Sequence, residues 1–162
     1  MQPEYDVIIV GAGPAGIFSA LELSSKTAFK VLLLEKGPDI SARNCPMKRR
    51  GICARCNPCS IVSGWGGAGA FSDGKLTLTT EFGGWLDEFM ERRRVAELIK
   101  SVDNVYLRFG APEHVFGTDQ DQIKEIQRQA ARADLNLVPA RIRHLGTEQC
   151  FAILRDMRHY IG

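Results

Sequence analysis

Two short runs of aliphatic residues, Val7 to Val10 and Val31 to Leu34, bracket a segment whose apolar positions Ile17, Ala20, Leu21 and Leu23 recur at helical spacing. Unbroken apolar runs of four predict strands buried on both faces of a parallel sheet, and the spacing between them predicts a helix from Pro14 to about Ser24. Later segments are more helical. Trp85 to about Val102 carries a stripe of Phe89, Met90, Ala96 and Ile99, and Val105 to Phe109 reads as a short extended piece. Thr118 or Asp119 can cap a helix running to about Asp134 through Ile123, Ile126, Ala130 and Ala133. Leu135 to Val138 resembles a short strand, and a final amphipathic helix starts near Thr147 and ends at Gly162. Within it Cys150, Ile153, Leu154, Met157 and Ile161 share one face, which gives Cys150 a core position.

The first strand, helix and second strand are joined by glycines that turn the pattern into chemistry. The link between strand and helix is GAGPAG, residues 11 to 16. Gly11 permits the tight turn, Gly13 lets a pyrophosphate approach the backbone, and Gly16 lets the helix lie close to the strand. Pro14 suits the first helical turn, whose amides then face the phosphates. Glu35 ends the second strand where a carboxylate can accept hydrogen bonds from both ribose hydroxyls. Residues 5 to 37 therefore read as a dinucleotide-binding βαβ unit. The unit alone does not choose between FAD and NAD.

Composition narrows the remaining classes. The chain of 162 residues is 44% hydrophobic and 25% charged, long enough for one core and no more than one domain. A net charge of +2 gives no basis for nucleic-acid binding, and Lys48 to Arg50 and Arg92 to Arg94 read as solvated faces. No apolar stretch reaches membrane-spanning length, and the N-terminus opens into a strand without a signal-peptide pattern, so a cytoplasmic protein with no membrane or nucleic-acid partner is expected.

Four of the five cysteines, Cys45, Cys53, Cys56 and Cys59, fall within fifteen residues in a loop region spanning 43 to 84. In a reducing compartment the CxxCxxC spacing admits three readings: a metal site holding zinc or an iron-sulfur cluster, a redox-active dithiol centred on Cys56 and Cys59, or thiols packed without chemistry. Just after it, GWGGAGAFSDGKL at residues 64 to 76 holds five glycines, a composition that suits close backbone approach to a ligand or a flexible loop.

Taken in order, the fingerprint, the cysteine cluster, the GWGGAGAFSDGKL segment and Arg143-His144-Leu145-Gly146-Thr147 resemble a family of uncharacterised FAD-dependent dehydrogenases along essentially the whole chain. A fingerprint so near the N-terminus, with Arg43 eight residues after Glu35, also resembles flavoproteins of the glutathione-reductase type, in which such an arginine meets the FAD. A solvated loop cation is the competing reading of Arg43. The resemblance implies an α/β fold, the N-terminal part of a glutathione-reductase-like FAD/NAD(P)-binding Rossmann domain, with an incomplete sheet and a helical segment over 85 to 162. It implies FAD as cofactor, held by Gly11, Ala12, Gly13, Pro14, Ala15, Gly16, Glu35, Lys36 and Arg43. Gly66, Gly67, Ala68 and Gly69 would lie near the pyrophosphate or isoalloxazine, with Ser72, Asp73 and Lys75 as polar neighbours. Relatives of this type continue into further strands and motifs, so a piece of a longer flavoprotein that binds FAD weakly alone is expected.

The function implied is an FAD-dependent oxidoreductase passing hydride or electrons between a small-molecule substrate and an acceptor that the sequence does not name. The alternative is a non-catalytic nucleotide- or metal-binding module, with Cys45, Cys53, Cys56 and Cys59 holding an iron-sulfur cluster or zinc. A nicotinamide-binding subunit would not require the second glycine segment. No catalytic acid or base is assigned. His144 is the candidate, against the reading of a hydrogen-bonding structural histidine.

Overall fold

A computed structural model describes residues 4–162. The chain divides into two compact units, Met1–Gly74 together with Thr147–Gly162, and Lys75–Gly146. Its architecture is α/β.

In the first unit β1 (Val7–Val10) pairs in parallel with β2 (Val31–Leu34), Val7 opposite Val31 and Val10 opposite Leu34. They are connected by α1 (Pro14–Lys26), which buries Ile17, Ala20 and Leu21. The helix runs two residues past the expected end and closes where the Thr27 N–H bonds the Leu23 carbonyl. A short helix α2 (Met47–Arg50) stops at Gly51 in the left-handed region, and a 3-10 turn forms over Gly67–Phe71. The last helix, here called α5 (Thr147–Ile161), packs on α1 and on that turn through Cys150, Ile153, Leu154 and Met157, as its periodicity predicts. The strands do not meet the expectation of burial on both faces. Ile9 lies under α1, whereas Ile8 and Val10 are 59% and 83% exposed. A two-stranded sheet with α1 on one face keeps the alternation of a half-covered sheet, although its sequence is uniformly apolar.

The second unit holds β3 (Lys75–Thr77), α3 (Arg92–Arg108), α4 (Gln120–Arg132) and β4 (Ile142–His144). β3 and β4 pair antiparallel, Lys75 opposite His144. Several boundaries differ from those the pattern predicts. The helix expected from Trp85 begins only at Arg92, after a 3-10 turn at Leu86–Glu88 that leaves Phe89 exposed. Val105 to Phe109 is not extended: Val95, Ile99, Val102 and Tyr106 continue one helical stripe to Arg108, and Gly110 at φ +90° ends it. Asp119 caps α4 by accepting the Asp121 and Gln122 N–H groups, each at 3.0 Å. Leu135 to Val138 is not a strand; Leu135 and Val138 are exposed, and pairing begins only after Pro139, at Ile142. Among the described residues no helix is long and apolar enough to cross a membrane.

Candidate cofactor site

The glycines of the fingerprint divide their work. Gly11, at φ +100°, turns the chain out of β1 while its N–H stays bonded to the Leu34 carbonyl at 2.7 Å. A Cβ on Gly16 would lie 1.9 Å from the Gly11 carbonyl oxygen and 3.4 Å from Ile9, so this glycine is required by the contact of α1 with β1. Gly13 differs. It caps α1 in extended conformation, and a Cβ there would meet nothing within 4 Å. The fold itself does not need Gly13 to be glycine. Pro14 occupies the first turn, Ala15 and Gly16 follow with N–H groups that no earlier helical carbonyl can take, and no acidic residue sits in that turn. The arrangement suits a diphosphate.

Ala12 is the node of the site. It is fully buried, its N–H donates to Glu35 Oε2 at 2.7 Å, and its carbonyl accepts the Gly66 N–H at 2.8 Å. Glu35 Oε1 accepts the Gly37 N–H at 2.8 Å and the Gly64 N–H at 2.9 Å. Burial pushes the Glu35 carboxyl up, but the three backbone N–H groups and the nearby Arg43 charge outweigh it and hold the acid below its ordinary value. Each carboxylate oxygen has two acceptor directions, so Oε2 can still receive a ribose hydroxyl. Lys36 is exposed beside it. A cavity of about 390 Å³ runs from β2 past Glu35, Gly37 and Trp65 to Arg158.

The second glycine segment meets the fingerprint through Gly66 and Gly67. A Cβ on Gly67 would stand 3.2 Å from Gly13 Cα and 3.6 Å from Pro14 Cδ. Ala68 and Gly69 continue the 3-10 turn, and the Gly69 carbonyl accepts the Cys150 thiol of α5 at 3.7 Å. Burial pushes that thiol's pKa up. Ser72 and Asp73 lie exposed at the end of the segment, Ser72 Oγ accepting the Gly74 N–H. Arg43 is no solvated cation: it is 7% exposed, and its guanidinium is turned into the loop. Gly37, Gly64, Trp65 and Leu154 escaped the sequence reading as site residues. A Cβ on Gly37 would lie 2.3 Å from the Gly64 nitrogen, and Trp65 Nε1 donates to the Leu154 carbonyl at 2.7 Å. The glycine two residues after the acid was the one local signal.

The four clustered cysteines are not assembled as the metal reading requires. All are free thiols; Cys45 is half-buried, Cys53, Cys56 and Cys59 are exposed, and among the described residues no three metal-ligating side chains converge. In sequence, α2 and its Gly51 stop lie between Cys45 and the triplet. His144 lies on β4 in the second unit, opposite Lys75. That unit is tied by Arg143, whose Nε and Nη2 bond the Asp103 carboxylate at 2.6 and 2.8 Å while Nη1 bonds the Pro112 carbonyl at 2.5 Å.

Comparison with known proteins places the chain in a family. A protein of Clostridium beijerinckii described only as uncharacterised is 37% identical over 128 residues, 77% of this chain and 22% of its own length. A digeranylgeranylglycerophospholipid reductase of Picrophilus torridus is 48% identical over 42 residues, 26% of this chain and 10% of the reductase. The chain thus spans about a fifth of the length of the first of these relatives. No solved structure matches it significantly. The family model for FAD dependent oxidoreductases matches residues 6–160, and the chain belongs to that family.

Proposed function

We propose that the unit Met1–Gly74 with Thr147–Gly162 holds the adenosine diphosphate half of FAD, in a flavoprotein of glutathione-reductase-like type that oxidises or reduces a small molecule. One observation carries the reading most: Gly13 faces open space at the N-terminus of α1, while Glu35 follows the end of β2 and is anchored to the adjoining Ala12 amide. Open space at a helix start invites the diphosphate, and the remaining acceptor capacity of Glu35 invites the ribose. The cavity beside Glu35 offers room for the adenine. Bound flavin would supply the two-electron redox chemistry. This chain's own residues bind and orient: the Ala15 and Gly16 amides receive phosphate oxygens, Glu35 fixes the ribose, and Gly66 and Gly67 wall the turn. Kinship with a named phospholipid reductase favours reduction of a lipid as one reaction to assay.

The test is an absorbance spectrum and flavin titration of the purified protein. Saturable FAD uptake that perturbs the flavin bands supports the reading. No uptake at any accessible FAD concentration would remove it.

A further inference from the structure

An arginine guanidinium carries five N–H donors in a fixed plane. In Arg43 four of them are spent on backbone carbonyls: Nε on Ser60 at 3.0 Å, Nη1 on both Trp65 and Gly67 at 2.7 Å, and Nη2 on Ile61 at 2.8 Å. The guanidinium carbon also lies 4.8 Å from the centre of the Phe71 ring. These carbonyls converge because Gly64, Gly66 and Gly67 take positive φ and fold the loop on itself. The same loop reaches the fingerprint by two further bonds, Gly64 N–H to Glu35 and Gly66 N–H to the Ala12 carbonyl, and the residue just after it by a third, Trp65 N–H to the Pro38 carbonyl at 3.2 Å.

We infer that Arg43 is a positioning residue for the cofactor site, acting through the Ser60–Gly67 backbone that it gathers and not through its charge on the FAD. A fork with a single remaining donor has little left for a phosphate. What it sets is the placement of Gly66 and Gly67 against Gly13 and Pro14, and of the Gly64 amide on Glu35. Lysine has the charge but neither the plane nor enough donors to span four carbonyls. This inference rests on the FAD reading of the site, and two signals separate the failure of one from that of the other.

The first signal is FAD affinity of the full chain with Arg43→Lys. The second is Trp65, which is 5% exposed and directly held by Arg43; Trp85→Phe leaves it the sole indole of the chain's two. Arg43→Lys should weaken FAD binding by about tenfold or more, red-shift Trp65 emission and open it to acrylamide. Methylguanidinium added to Arg43→Ala should restore both signals in part. An Arg43→Lys variant that binds FAD as the wild type does would overturn the inference, and so would lost binding with Trp65 emission unchanged, since that marks a direct contact. A wild-type chain that takes up no FAD refutes the cofactor reading itself, a different outcome from wild-type uptake that Arg43→Lys leaves intact.

Discussion

Alanine at Gly13 and at Gly16 separates what the fingerprint owes to the ligand from what it owes to the fold. At Gly16 the new Cβ falls 1.9 Å from the Gly11 carbonyl oxygen, so α1 must retreat from β1 by more than about 1 Å to restore ordinary contact. Overpacking of that kind costs about 1–3 kcal/mol, and the better helix propensity of alanine returns up to about 1 kcal/mol. The net is a loss of up to about 3 kcal/mol, or a Tm lowered by up to about 12 °C for a chain of this size. At Gly13 the Cβ meets no protein atom, and φ −74° with ψ −180° is open to any residue. Alanine is a poorer N-cap than glycine by about 0.5–1 kcal/mol, and the stiffer unfolded chain offsets about 0.4–1 kcal/mol. These two effects oppose each other, so stability should stay within about 0.5 kcal/mol of wild type. FAD affinity should nevertheless fall by about 100-fold, equal to about 2.7 kcal/mol, because the methyl group occupies the diphosphate's space. Urea unfolding followed by circular dichroism gives the first quantity and flavin fluorescence titration the second. The reasoning fails if Gly13→Ala is as destabilised as Gly16→Ala, or if it binds FAD as well as wild type.

Three further outcomes follow from named contacts. Because the folded Glu35 pKa lies below its ordinary 4.5, the stability it contributes is fully present above that pH and is lost as pH falls toward the folded value; Glu35→Gln should flatten this part of the stability profile. Acid titration of both proteins by circular dichroism checks the sign, and equal slopes below pH 4.5 would contradict it. Asp103→Ala strands the buried Arg143 guanidinium and should destabilise the second unit by about 3–5 kcal/mol, read by hydrogen exchange across α3 and β4. With a thiol reagent Cys53, Cys56 and Cys59 should react rapidly, while Cys150, buried and with its pKa raised, reacts only on unfolding; fast labelling of Cys150 would contradict the packing of α5.

The parts of the site legible in the sequence are those written in adjacent residues. GAGPAG and Glu35 announce a turn, a helix start and an acid because each glycine's role depends on its immediate neighbours, and α1, β1 and β2 form where their apolar pattern puts them. Partners far apart in sequence were not legible. Trp65 bonds Leu154 across 89 positions and Gly64 bonds Glu35 across 29, and nothing in GWGGAGAF names either partner. Arg43 could be singled out by its distance from the acid, yet only the folded loop shows that its donors point at four carbonyls. Val105 to Phe109 and Leu135 to Val138 misled for a related reason: β-branched and aliphatic residues favour strands only where a partner strand waits, and in one case the helical stripe continues while in the other the residues stay exposed. The cysteine spacing is compatible with several chemistries, and among the described residues the fold brings no three metal-ligating side chains together.

The central claim is that residues 11 to 16, Glu35 and the Gly64 to Gly67 backbone recognise the adenosine diphosphate half of FAD. Its most direct test is competition: FAD bound to the purified protein is titrated with ADP and, separately, with FMN, following flavin fluorescence. The account predicts that FAD bound at saturating concentration is displaced by ADP and left in place by equal FMN. Displacement by FMN with ADP inert would contradict it.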